Sequence, residues 1–431
     1  MGADMHARLE EGGGLLFFFQ PGSRLSTTGQ AIGLRHGERL KMIDLFEPRL
    51  PVARLHKSFR LILDDPACAA VMPIIQSWSV GLVERSREGD KFVKEFQSTF
   101  NSAMWELYLN KALTELGFTA DFSLAVPDFC VTALDGYRFN IEAVISDRGA
   151  GAAPANPASL YAFKNRCALK LIGKLKDKAE LFRGSQGKKR SYGLLNHVRD
   201  VPFVVAIAPF DSDYSLLQNN ELINLVLFGI GEPSYDPGSF GEQARVPEIR
   251  TPSGARVKMG IFTNDSFKEI SAVIFSTVGT FGKAVVESGI NRIIRSNRYR
   301  CIEKSAVGHD AAAWALGDRY SVSQKELAYL KMRRWDFGRE IAGSDIRICA
   351  TALHSETHLD GLHVYYNPYA QFPLRSDVFQ SGEITHNFYD TVKNEPAQFH
   401  PDGALVSRLL FDPDLQSLEH LLRTDGFLGQ R

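Results

Sequence analysis

The segment Val201 to Phe210, with the sequence VPFVVAIAPF, constrains the fold more than any other part of the chain. It is almost continuously apolar, yet it is too short for a helix that spans a bilayer, which needs about 20 apolar residues. This composition is typical of a strand that is buried on both faces of a parallel or mixed sheet. The segment therefore predicts a central sheet that is covered by helices on both sides.

The elements before this segment predict the same architecture. Phe100 to Leu116 has apolar residues at helical spacing and ends at a glycine, as helices commonly do. Two strands are predicted next, Phe129 to Ala133 and Tyr137 to Ile145, joined by the hairpin signal Asp135-Gly136. A second long helix is predicted from Leu160 to Phe182. The order helix, strand, strand, helix, strand fits an α/β fold.

Three acidic residues lie in unusual positions within these elements. Glu106 borders the apolar face of the first helix, Asp128 follows Pro127 at the start of the first strand, and Glu142 lies in the middle of the return strand. A strand glutamate among apolar neighbours is costly to bury without a partner or a metal. Antiparallel pairing brings Asp128 and Glu142 together, and carboxylate oxygens are the ligands that Mg²⁺ prefers. The alternative interpretation is a structural ion pair for Glu142 and an ordinary Pro-Asp turn.

The stretches FQSTFNSAMWELYLNKALTELGF, PDF and FNIEAV together resemble the PD-(D/E)XK nuclease superfamily over about residues 90 to 210. The resemblance implies an α/β restriction-endonuclease-like core, with a mixed central sheet flanked by helices and additional α+β regions. It also implies that Glu106, Asp128 and Glu142 hold Mg²⁺, with Mn²⁺ as an alternative. The chemistry implied is hydrolysis of phosphodiester bonds, with nucleic acid, DNA foremost, as the partner.

One position departs from the superfamily pattern. A lysine usually stands two residues after the strand acid, where it steadies the nucleophile and the developing negative charge, and here that position is Val144. The resemblance also implies that the lysine can migrate to the following helix. Lys170, Lys174 and Lys178 share one helix face there, and Lys174 and Lys178 are the predicted catalytic lysines.

Net charge excludes a protein that binds nucleic acid through its overall charge, because 50 basic residues balance 50 acidic ones. A local patch remains, since ten Lys or Arg between residues 164 and 190 face only two acids, a net charge of +8. Contacts with a phosphate backbone are predicted for it at Lys170, Lys188, Lys189 and Arg190. The alternative is a solvated helix and loop.

A second basic run could extend such a track or decorate a surface helix: Arg292, Arg295, Arg298 and Arg300. The segment from about 300 to 340 is charged and is interpreted as helical. His354 and His358 are four residues apart with Asp360 nearby, but the glutamate of a zinc protease is missing, and a metal site there is disfavoured.

The domain interpretation has three parts. Residues 1–90 are predicted to pack on the core as an N-terminal extension, 91–290 to form the nuclease-like core with insertions, and 291–431 to form a C-terminal α+β region. The five scattered cysteines show no CxxC pair, which favours a reducing compartment. We expect a cytoplasmic protein without a membrane partner, and the sequence leaves open whether it forms a homo-oligomer.

Three functions remain open from the sequence. The first is a Mg²⁺-dependent endonuclease, with phage defence or DNA repair as the context that the resemblance implies. The second is a non-catalytic nucleic-acid-binding or assembly protein on a degenerate nuclease fold, which Val144 favours. The third is an RNA-directed toxin.

Overall fold

The structure, a computed structural model, describes residues 43–85, 88–146, 160–184, 191–210, 218–233, 243–302, 319–320, 329–337 and 341–424. Eight α-helices lie within these ranges: α1 Lys57–Asp64, α2 Met72–Trp78, α3 Gly89–Ser98, α4 Phe100–Glu115, α5 Leu160–Arg183, α6 Glu221–Phe228, α7 Phe281–Ser288 and α8 Leu415–Thr424.

The same ranges contain seventeen strands. Those of the first half are β1 Thr119–Ala120, β2 Phe129–Thr132, β3 Arg138–Ile145, β4 Phe203–Ala208, β5 Ile230–Pro233, β6 Gln243–Arg245, β7 Glu248–Arg250, β8 Arg256–Lys258 and β9 Ala272–Phe275. The others are β10 Ile293–Ile302, β11 Arg319–Tyr320, β12 Tyr329–Phe337, β13 Ile341–Ala350, β14 His363–Tyr366, β15 Thr385–Asp390, β16 Glu395–Phe399 and β17 Leu405–Phe411.

A mixed sheet of eight strands forms the centre of the protein, in the order β1-β2-β3-β4-β9-β14-β15-β16. The pairs β3–β4, β4–β9 and β14–β15 are parallel, and the remaining pairs are antiparallel. All six residues of β4 are buried. The predicted mixed α/β fold with a doubly covered central strand is therefore confirmed.

The hairpin β2–β3 has the predicted register, with Phe129 opposite Ile141. Gly136 in its turn has a φ of +82°, a left-handed conformation that glycine adopts without a steric penalty. Side chains alternate between the two faces along β3, because Phe139 and Ile141 enter one apolar core and Val144 enters the other.

Two layers of helices cover the two faces of the sheet. One core contains side chains from α1 to α4 and α7, and the other contains side chains from α5 and α6. The Trp105 indole of α4 donates a hydrogen bond of 3.1 Å to the carbonyl oxygen of Ala206 in β4. The helix that carries Glu106 is thus fastened directly to the central strand.

Three strands of the central sheet, β14 to β16, come from the segment 291–431 that the sequence analysis assigned to a C-terminal region. The same segment supplies all five strands of a second, antiparallel sheet, in the order β11-β12-β13-β10-β17. The helical interpretation of residues 300 to 340 is wrong where the structure describes them, since β12 runs through Lys331 and Arg333. Strand pairing outweighs the local charge pattern that suggested a helix.

The basic run that begins at Arg292 is also not a surface helix, because most of it lies in β10. Arg292 is buried, and its guanidinium is 2.7 Å from Asp412. Arg298 pairs with Asp360 at 2.7 Å and has a side chain that is only 13% exposed. These two arginines join elements of the C-terminal part through ion pairs, so they do not form a phosphate track.

A histidine and two glutamates connect α4, α7 and the loop before β14. The His358 ring contacts Glu115 at 2.7 Å through Nδ1 and Glu287 at 3.3 Å through Nε2. Trp78 packs edge-on against the ring, and its indole donates a hydrogen bond to Glu287. Burial lowers the pKa of His358, but the contacts with the two glutamates outweigh it and raise the pKa above the usual value.

This cluster predicts a pH-dependent stability. A histidine whose pKa is raised in the folded state stabilises fully below its unfolded pKa and loses that contribution as pH rises through the folded pKa. We expect His358→Gln to lower the thermal unfolding temperature more at about pH 5.5 than at about pH 8.5. Calorimetry of both proteins at the two pH values measures this. Equal losses at both would contradict a charged histidine.

Candidate active site

The three predicted acidic residues meet where α4 packs against the β2–β3 hairpin. Asp128 immediately precedes β2, and its Oδ2 accepts a 2.7 Å hydrogen bond from the amide of Ala143 in β3. Glu142 immediately precedes Ala143 in β3, so the hydrogen bond holds Asp128 next to the main chain of Glu142. Glu106, in the second turn of α4, is close enough to interact electrostatically with both carboxyls.

Burial raises the pKa values of all three carboxyls, and repulsion from Asp128 adds to the increase at Glu106 and Glu142. Burial first, and then Asp128, raise the pKa of Glu142 to about 7. Burial raises the pKa of Asp128 although the Ala143 amide and Lys178 oppose it. Burial and Asp128 also raise the pKa of Glu106 well above its usual value. A cluster of this kind favours a positive charge at its centre.

Lys178 supplies one such charge. Its ammonium lies 2.8 Å from Oε1 of Glu142, and the two side chains are 21% and 7% exposed. Lys174 and Lys170 lie one and two turns earlier on the same helix, α5. The structure thus brings a lysine of the following helix to the strand acid, at a site where the strand itself has Val144.

Sequence reasoning missed three residues around the cluster. Arg85 donates a hydrogen bond to the carbonyl oxygen of Asp128, and its guanidinium lies 4.9 Å from the centre of the Phe122 ring. Tyr192 lies near the cluster, since burial and then the carboxyls of Glu142 and Asp128 raise the pKa of its hydroxyl. Glu95 interacts with both Asp128 and Arg85. Arg85 lies at a bend of the chain and Tyr192 in a short 3-10 helix. No sequence periodicity marks these two residues, so only their tertiary contacts identify them.

The fit to a divalent cation rests on one atom in particular. Oε2 of Glu142 is buried and has no close hydrogen-bond donor, while the carboxylate as a whole interacts with the main chain of Asp128 and with the Tyr192 hydroxyl. A buried carboxylate oxygen without a close donor is in an unfavourable state. As arranged here, the described residues contain no group of three His, Cys, Asp or Glu side chains that could hold a metal ion. Lys178 already binds Oε1 of Glu142, and the Ala143 amide already binds Oδ2 of Asp128. The donor chemistry fits a hard cation, but side-chain adjustment is needed to bring Glu106 into such a group.

Several described cations of the basic patch that continues from this site are paired with acids. Lys164 contacts Glu221 and Glu232, Lys176 contacts Glu180, and Arg183 contacts Glu269. The predicted phosphate contacts Lys188, Lys189 and Arg190 lie outside the described residues. The sequence charge of the segment therefore overstates the free positive charge near Glu142.

Comparison of this chain with protein-family models, with curated proteins and with solved structures gives no match. Among the described helices, none is long and apolar enough to cross a membrane.

The Glu142–Lys178 contact predicts an energetic coupling between β3 and α5. Removing one partner of a buried pair leaves an uncompensated charge and costs about 3 kcal/mol, whereas replacing both is close to neutral. We expect Lys178→Met to lower the free energy of unfolding by about 3 kcal/mol and Glu142→Gln to restore most of it. Denaturant titration of the four proteins of this cycle measures the coupling. Additive effects would show that the two groups do not interact.

The raised pKa of Glu106 predicts that removing this carboxyl increases the stability of the fold, in contrast to removing Lys178. A carboxyl with a raised folded pKa destabilises the protein as pH rises above its unfolded pKa. We expect Glu106→Gln to raise the thermal unfolding temperature in a chelator, more at about pH 8 than at about pH 5. Glu180→Gln, an exposed acid on α5, is the control. A loss of stability in Glu106→Gln at pH 8 would contradict this assignment.

Proposed function

We propose that the protein is a metal-dependent nuclease that hydrolyses phosphodiester bonds, with DNA as the first substrate to test. The observation that carries the proposal is the contact between Lys178 and Glu142 beside Asp128 and Glu106. A lysine next to clustered carboxylates suits such hydrolysis, because the carboxylates can hold the metal and the ammonium can stabilise the developing negative charge. The lysine is present here although its usual strand position is Val144.

Each side chain has a distinct role in this proposal. Asp128 and Glu142 are the proposed direct ligands of Mg²⁺ or Mn²⁺, and Glu106 acts through water. A bound cation would polarise the phosphate and lower the pKa of the attacking water. Lys178 holds its ammonium where negative charge develops on the phosphate, and Arg85 fixes the main chain of Asp128.

The restriction-endonuclease-like core is part of the same proposal. Its support is the order α4, β2, β3, α5, β4, with the acidic residues on α4, before β2 and on β3. A role in phage defence or DNA repair is proposed from the sequence resemblance alone, and a cytoplasmic location from the scattered cysteines.

The second candidate is a nucleic-acid-binding or assembly protein without catalysis. The observation that favours it is the same ion pair: a Glu142 carboxylate that is satisfied by Lys178 is a structural contact, and the described side chains do not close into a metal-binding group. In that case the cluster would stabilise the hairpin rather than perform chemistry.

Cleavage assays on supercoiled plasmid, single-stranded DNA and RNA, with Mg²⁺ or Mn²⁺ and with a chelator, separate the two candidates. We expect Asp128→Ala and Glu142→Ala to abolish metal-dependent cleavage, because each removes a proposed ligand. Glu106→Ala should retain partial activity.

Matched lysine variants test the migrated charge. Lys178→Ala should lower turnover by at least about 100-fold, the scale of an electrostatic group at a reacting phosphate, while metal affinity by calorimetry persists. Lys176→Ala, which is exposed and two residues away, should cleave normally, and Lys174→Ala examines the other predicted lysine. Cleavage that persists in Glu142→Ala would exclude this site, and nucleic-acid binding without cleavage would favour the second candidate.

A further inference from the structure

A charged cleft of about 560 Å³ lies along α3, on the side of the protein that carries Glu106. Its lining includes the cations Arg54, Lys91 and Lys94 together with Asp90 and Glu95. The helix α3 packs directly against α4. The cleft lies on the exposed face of α3, and the opposite face of this helix, which carries Phe92, Val93 and Phe96, is buried.

Two side chains of the cleft wall also interact with the carboxylate cluster. The Lys91 ammonium interacts with Glu88 first, and with Glu106 beyond it. The Glu95 carboxyl interacts with Lys91 and with Asp128. A ligand held by Lys91 in the cleft would therefore lie within electrostatic range of Glu106 and Asp128.

The cations of the cleft are accessible and only weakly held. Lys91 and Lys94 are 60% and 47% exposed. Their partners are acids of the same exposed helix surface: Lys91 contacts Glu88 at 2.9 Å and Glu95 at 3.9 Å, and Lys94 contacts Asp90 at 2.5 Å. Exposed ion pairs of this type contribute little to stability and are screened by salt. Phosphate oxygens can therefore compete with these acids for contact with the two ammonium groups.

We propose that the α3 cleft binds the phosphodiester backbone of DNA on its approach to the acidic cluster, through Arg54, Lys91 and Lys94. This inference rests on the proposed nuclease function, and it adds a binding surface that the sequence did not indicate. The contacts are with phosphates, so binding through the cleft is independent of base sequence. Each phosphate contact releases condensed counterions and contributes to the salt dependence of binding.

Fluorescence anisotropy with labelled DNA in a chelator tests the cleft without cleavage. The probes are mixed-sequence duplex and single strands of about 30 nucleotides, titrated between about 50 and 200 mM KCl. The test variant replaces Arg54, Lys91 and Lys94 by Gln, and Lys94→Gln alone serves as the milder second variant. The control replaces three exposed cations that lie by the opposite core, Arg256, Lys258 and Lys268, by Gln.

We expect the triple cleft variant to bind duplex DNA at least about tenfold more weakly at low salt. The slope of log affinity against log salt should decrease in magnitude by about 2 to 3, near 0.9 for each lost contact. The single variant should decrease it by about 1, and the control should keep the wild-type slope. Circular dichroism and thermal unfolding establish that all variants are folded.

An unchanged slope in the cleft variant, an equal loss in the control, or no wild-type binding to either DNA would overturn the inference. These outcomes are separate from the cleavage assays. Binding that depends on the cleft but without metal-dependent cleavage would refute the nuclease and leave the cleft as a DNA surface. Cleavage that depends on Glu142 with an unchanged slope would refute only the cleft.

Discussion

The burial of β4 on both faces is the constraint on which the rest of the structure depends. A strand without a polar face needs apolar cover on each side, and the helices α1 to α4 and α5 to α6 provide it. The indole of Trp105 ties one of these layers to the strand through a main-chain carbonyl. Because β3 is the parallel neighbour of β4, the strand that carries Glu142 is held rigidly between the same two layers.

That rigid setting explains the electrostatics of the candidate active site. Glu142 cannot turn its carboxylate to bulk water from the middle of a covered sheet, so burial and the nearby Asp128 raise its pKa to about 7. Lys178 and the Ala143 amide offset part of this cost for the two acids of the hairpin, and Oε2 of Glu142 has no close hydrogen-bond donor. Burying such a carboxylate lowers the stability of the fold. Strongly shifted pKa values of this kind cluster at functional sites, which is the physical basis for the proposed role of Glu142.

Charge in this protein is balanced locally as well as overall. Basic residues that look free in the sequence, such as Lys164, Arg183 and Arg298, are paired with acids from distant parts of the chain. The cations along α3 are different, because they pair only with acids on the same exposed helix surface. An anion can therefore reach the α3 cations more easily than the cations that are paired with acids from distant parts of the chain.

The sequence by itself determined the elements around the site. The apolar run at β4, the Asp135-Gly136 turn and the alternation along β3 are local patterns, and local patterns specify a strand, a hairpin and its inward face. They also placed Asp128 next to Glu142, because hairpin register follows from the turn. Tertiary structure alone decided the rest. Whether Lys170, Lys174 or Lys178 meets Glu142 depends on how α5 crosses the sheet, and Arg85 and Glu95 reach the cluster through the packing of distant segments. The strands at residues 329–337 and the burial of Arg292 likewise arise from partners far along the chain, which no local charge pattern encodes.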